Sequence, residues 1–251
     1  MNQSEEKDFL SKWPHYFPGA EWPLALYYTD TPPADAERVP PPSAHKCLIG
    51  VLNRVRNGAA LVFDEESLGC FGGKRYTGFS QQLIPNFDSF LSCGIPGQLE
   101  GERYKRTPEI VQGVVQHWPD FEAPAANLVF KRFDRLQDGE PPEVIVFLAP
   151  PDVLSGLFTL ANFDWQDPHG VITPFCAGCA AIIQYPYLEG EREAPRGVVG
   201  MFDVSARPFV PRETLSFAVP MNRFRTMVGF MEESFLITKS WDRVRKRMER
   251  G

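Results

Sequence analysis

Long apolar runs are missing from this 251-residue chain: no stretch approaches the roughly 18 to 20 consecutive apolar residues that a membrane-spanning helix needs. The opening Met1-Asn-Gln-Ser-Glu-Glu-Lys-Asp8 is too polar and acidic for a signal peptide. The expectation is a cytoplasmic protein with no membrane partner. Basic charge is also short, with 26 Lys and Arg against 32 Asp and Glu and a net charge of -6. A nucleic-acid surface needs a clustered basic excess to neutralise phosphates, so no nucleic-acid partner is expected. The one strong basic run, Arg243-Val-Arg-Lys-Arg through Arg250, reads as a solvated last helical turn that complements the helix dipole.

Catalytic signatures are few. There is no Gly-x-Ser-x-Gly nucleophile elbow and no nicotinamide fingerprint. The four histidines, His15, His45, His117 and His169, form no pair at helical spacing, which removes the usual histidine metal site. His45 stands two residues before Cys47 and reads as a surface or capping residue ahead of a thiol activator. The segment Gly69-Cys-Phe-Gly-Gly-Lys-Arg-Tyr76 is rich in glycine like a phosphate cradle. Its glycine-to-lysine spacing is one residue short of the Walker pattern, however, and no Ser or Thr follows Lys74 to hold magnesium, so nucleotide hydrolysis is not expected.

With 43% hydrophobic residues the chain can bury a large core. A single compact domain over 1–251 is expected, with 1–125 and 126–251 as candidate lobes. Helices are predicted over Ser4 to Trp13, from a Ser43 cap to Asn57 before Gly58, within Gln81 to Cys93, from the Thr107-Pro cap to Trp118, over Gly178 to Tyr185, and over Lys239 to Arg250. Strands are predicted over Pro23 to Tyr28, Ala59 to Phe63, Asn127 to Phe133, Glu143 to Leu148 and Gly197 to Phe202. A weak internal echo joins Val144-Ile-Val-Phe-Leu-Ala-Pro-Pro and its helix Asp152 to Asn162 with Thr214-Leu-Ser-Phe-Ala-Val-Pro and its helix Met221 to Met231. The fold class that follows is α+β or mixed α/β, a mixed sheet with flanking helices and a candidate pseudo-repeat of strand-Pro-helix units.

What the chain does have is five cysteines, Cys47, Cys70, Cys93, Cys176 and Cys179, set beside glycines, turns or helix starts. Thiolates bind soft metals and iron-sulfur clusters when three or four converge. Cys47, Cys70 and Cys179 are the candidate ligands for an iron-sulfur cluster or zinc, with Cys93 or Cys176 as a fourth. The bland reading is that these thiols merely pack as small apolar residues. Cys176-Ala-Gly-Cys179 also has dithiol redox spacing, and a thiol enzyme would use Cys70 or Cys179 as nucleophile. A reading from a different class is a binding protein without catalysis, in which Gly72, Gly73, Lys74, Arg75 and Arg103 hold a small anionic ligand, with Lys105 and Arg106 as further donors.

Four segments, Cys47-Leu-Ile-Gly50, Leu68-Gly-Cys-Phe-Gly-Gly73, Gly178-Cys-Ala-Ala-Ile-Ile-Gln-Tyr-Pro186 and Asp203-Val-Ser-Ala-Arg207, together resemble an uncharacterised prokaryotic family known as domain of unknown function 169. The resemblance runs from about Pro23 to Met231. It implies a shared cysteine site at Cys47, Cys70 and Cys179, and it brings in Arg207 as a residue that compensates charge beside Arg75 or Arg103. Many members place another cysteine shortly before the arginine matching Arg207, where this chain has Met201-Phe202. The family carries no established activity to transfer.

Overall fold

Unbroken apolar runs such as Val144-Ile-Val-Phe-Leu-Ala149 are what a strand covered on both faces requires. The computed structural model describes residues 3–250. Its strands are β1 (Leu24–Thr29), β2 (Glu37–Arg38), β3 (Leu61–Phe63), β4 (Asn127–Arg132), β5 (Val144–Ala149), β6 (Val171–Ile172), β7 (Gly197–Gly200) and β8 (Leu215–Pro220). They form one mixed sheet of order β2-β3-β4-β1-β5-β8-β7-β6. Only the pairings at its two edges, β2 with β3 and β6 with β7, are parallel. Strand β1, from the first half of the chain, lies between β4 and β5 from the second.

The helices are α1 (Gln3–Tyr16), α2 (Leu48–Val51), α3 (Asn53–Arg56), α4 (Phe71–Tyr76), α5 (Phe87–Leu91), α6 (Pro108–Gln116), α7 (Pro151–Leu160), α8 (Gly178–Ile182), α9 (Gln184–Glu189), α10 (Met221–Gly229) and α11 (Lys239–Met248). Side chains alternate along a strand, so β5 sends Val144, Val146 and Leu148 into one core and Ile145, Phe147 and Ala149 into the other. The first core is covered by α2, α3, α4, α8 and α9. The second is covered by α1, α7, α10 and α11 and is built on aromatic contacts, with Trp13 stacked on Phe17 and Phe9 edge-on to Phe133 and Phe224.

The two strand-Pro-helix units meet at the sheet centre. Strands β5 and β8 pair antiparallel from Val144 opposite Pro220 to Ala149 opposite Leu215. Each strand then turns through a proline, Pro150 or Pro220, that caps α7 or α10. Proline suits that position because its ring fixes φ and it has no N–H to satisfy. Both helices land on the second core, so the sheet separates them from the cysteine-bearing segments on the other face.

Three local expectations need correction. The helix expected from Ser43 to Asn57 is two single turns, α2 and α3, with Cys47 rather than Ser43 at the cap, because Pro40-Pro-Pro42 keeps the approach extended. The glycine-rich segment expected as a loop is wound into α4, begun by Cys70 and closed by Gly78 at φ +79°. The helix expected over Gly178 to Tyr185 breaks at Ile183 into α8 and α9. The two-residue edge strands β2 and β6 are too short to leave a pattern in the sequence.

Gly200 is what lets α8 lie directly on the sheet. A Cβ there would stand 2.2 Å from the Ala181 Cβ and 3.1 Å from the Ser216 Oγ. Gly200→Ala is expected to destabilise the protein by about 2 to 3 kcal/mol through overpacking, read from the midpoint of urea unfolding; an unchanged midpoint would show that α8 can move aside.

Candidate functional site

Cys47 ends an extended segment and starts α2, whose next residues Leu48 and Ile49 drop into the first core. Cys70 caps α4 in the way a serine does, its Sγ accepting the Gly73 N–H at 3.1 Å. The backbone N–H of Leu48 also points at the Cys70 sulfur, so the first turns of α2 and α4 share one thiol. Packing forces the same approach: a Cβ on Gly69 would stand 2.8 Å from both the Lys46 nitrogen and Pro42.

Cys179 arrives from the opposite half of the chain, in the first turn of α8, and is buried. Its thiol lies within electrostatic reach of Cys70 and Cys47, and Cys70 is in reach of Cys47. Three segments from separate parts of the chain therefore place their thiols within electrostatic range of one another. Burial is the main influence on Cys70 and Cys179. It raises Cys70 above the ordinary thiol range, against the pull of the two N–H groups, and raises Cys179 well above it.

Cys93 and Cys176 are the other two free cysteines. Cys176 is pushed up to about 12 by burial and by the carboxylate of Asp203. Cys176 and Cys179 are both free, so the Cys176-Ala-Gly-Cys179 segment holds no disulfide in this structure. Cys93 is exposed in the loop after α5, its Sγ meeting only its neighbour's carbonyl at 3.8 Å. Among the described residues, no group of three or more His, Cys, Asp or Glu side chains is arranged to hold a metal ion.

The cations proposed for anion binding are largely engaged within the chain. Lys74 is 3.7 Å from Glu65. Arg75 donates to the Gln81 carbonyl at 2.6 Å and lies 5.5 Å from the Trp118 ring centre. Arg207 donates to the carbonyls of Thr214, Arg212 and Pro211 and so braces the loop before β8. Gly72 and Gly73 sit inside α4, where the Gly73 N–H is already taken by Cys70 and a Cβ on Gly73 would stand 3.0 Å from that sulfur. Arg103 is exposed, with a left-handed φ of +56°.

Two residues to which the sequence reading gave no role shape the site. Asp203 accepts the Gly178 N–H at 3.2 Å and the N–H and Oγ of Ser205 at 3.0 and 2.8 Å, tying the start of α8 to the turn after β7. The Asp-x-Ser spacing is the signal that could have found it, since such a carboxylate bonds two residues on. Met201 is buried at φ +68°, and its Sδ would stand 2.9 Å from a Cβ on Gly178.

The family model described as DUF169, uncharacterised ArCR, matches residues 20–229. The chain belongs to that family. No curated protein and no solved structure matches it. The matched span takes in every element that builds the thiol site of this DUF169 protein, from Cys47 to Arg207. No helix of the described residues is long and apolar enough to cross a membrane.

These environments set an order of reactivity. A thiol reacts as its thiolate, so iodoacetamide at neutral pH is expected to modify exposed Cys93 first and Cys176 and Cys179 slower by about two orders of magnitude or more. Peptide mass mapping over time checks it, and equal labelling of Cys179 and Cys93 would contradict it.

Proposed function

We propose that this is a cysteine-ligated metal protein, with an iron-sulfur cluster as the preferred occupant and Cys47, Cys70 and Cys179 as its ligands, working in a redox or accessory role in the cytoplasm. The observation that supports the reading is that three thiols from three separate segments lie within electrostatic range of one another, one of them accepting the Gly73 N–H. Hydrogen bonds of that kind to a ligating sulfur tune a cluster's potential.

Thiolate ligands suit an iron-sulfur cluster or zinc, and acid-labile sulfide separates the two. The thiol-enzyme reading is disfavoured, since burial keeps Cys70 and Cys179 protonated at neutral pH when no metal is bound. Metal binding reverses that preference by replacing the proton.

Protein purified without oxygen and without a metal-affinity tag is expected to carry iron and acid-labile sulfide with broad visible absorption. Cys47→Ser, Cys70→Ser and Cys179→Ser should each lower iron content several-fold, while Cys93→Ser leaves it unchanged. Zinc without sulfide would move the assignment to a single ion; a folded, colourless, metal-free protein, or iron that survives Cys70→Ser, would overturn it.

A further inference from the structure

A buried ammonium is costly unless it is paired, and that of Lys131 on β4 is paired twice. Lys131 is 1% exposed, with its Nζ 2.5 Å from Glu140 and 2.9 and 3.0 Å from the two carboxylate oxygens of Asp35. The two acids are held differently. Glu140 is itself 9% exposed, and it also accepts the Tyr27 hydroxyl at 2.9 Å and the Gln137 N–H at 2.8 Å. Asp35 is 43% exposed and accepts the Gln137 Nε2 at 2.9 Å. One carboxylate suffices to neutralise the ammonium, so the second serves to tie down the segment that carries it.

That segment is lightly packed. Of the described residues from 30 to 46, Val39 alone is buried. The two-residue strand β2 joins it to β3, with the Glu37 N–H on the Ala60 carbonyl and the Val39 N–H on the Val62 carbonyl, both at 2.9 Å. Glu37 and Arg38 add ion pairs with Arg54 and Asp64, which are largely open to solvent and contribute little. Few buried contacts and a short ladder are the marks of an element that opens locally.

The same segment leads to two of the thiols. After Val39 comes Pro40-Pro-Pro42, a stiff run that passes a displacement on where a flexible linker would absorb it. Pro42 Cγ stands 2.8 Å from where a Cβ on Gly69 would lie, and the Lys46 N–H donates to the Gly69 carbonyl at 3.4 Å. Cys47 and Cys70 are the next residues of these two touching segments.

We propose that residues 30–46 form a strap latched by Lys131, and that release of Asp35 lifts β2 from β3, loosens the contact of Lys46 with Gly69 and uncovers Cys47 and Cys70 together. A single two-state element then spans the ion cluster and the thiols, which is the physical requirement for coupling between them.

The test is Asp35→Ala, in which Glu140 still pairs with Lys131 and the buried charge stays neutralised. Amide hydrogen exchange followed by NMR should rise about fivefold at Glu37, Val39 and Lys46 together, with Phe147 of β5 unchanged. Exchange reads the strap whether or not the thiols hold a metal. Iodoacetamide labelling of Cys47 and Cys70, with a chelator present to clear metal, should rise by a similar factor while Cys179 stays slow. Asp35→Glu, which keeps the charge, should return both readings toward wild type. Unchanged exchange at Glu37 and Val39 would overturn the latch. Faster exchange there with Lys46 unchanged, or with Cys47 and Cys70 labelled no faster, would overturn the link to the thiols. A uniform rise that includes Phe147 would overturn both, by making Asp35 a general stabilising contact.

Discussion

Strands buried on both faces must be covered twice, and the pairing of β5 with β8 at the centre of the sheet imposes that requirement on everything around it. Each strand is apolar along nearly its whole length, so neither face can be left to water. The aromatic second core, with α1, α7, α10 and α11, closes one side. The other side is closed by short, interrupted helices whose starts face inward, and three of those starts carry cysteines. Position on the sheet thus decides where the thiols can meet.

How closely they meet depends on residues without side chains. Gly200 brings α8 down onto β7, Gly178 leaves room for Met201 and Ala206, and Gly69 brings the segment before Cys70 against the one before Cys47. Each contact is too tight for a Cβ to be added without movement. Close packing of this sort transmits small displacements rather than absorbing them, so the separation of the thiols is tied to the fit of α8 on the sheet.

Much of the fold was legible because it is written in local chemistry. The apolar runs of β4 and β5, the Thr107-Pro start of α6 and the two strand-proline-helix units each carry their own signal. The misread segments are those where tertiary contacts override local preference. Pro40-Pro-Pro42 and the packing of Leu48 and Ile49 shorten a helix that periodicity extends, and the Cys70 cap makes a helix of a glycine-rich stretch. At the site, the residue types and their placement near helix starts were readable. The inward turn of Asp203 and the intramolecular partners of Lys74, Arg75 and Arg207 were not, because sequence spacing says nothing of which segments the sheet brings face to face.

Cys179 is buried and Cys47 and Cys70 are half-buried, a setting that suits a core as well as a metal centre; what distinguishes the two is whether the three sulfurs act on one centre. Iron K-edge X-ray absorption on protein purified without oxygen tests that most directly. The account predicts iron coordinated by sulfur with a short iron–iron vector, whereas iron in a shell of oxygen and nitrogen alone, or no bound iron, would contradict it.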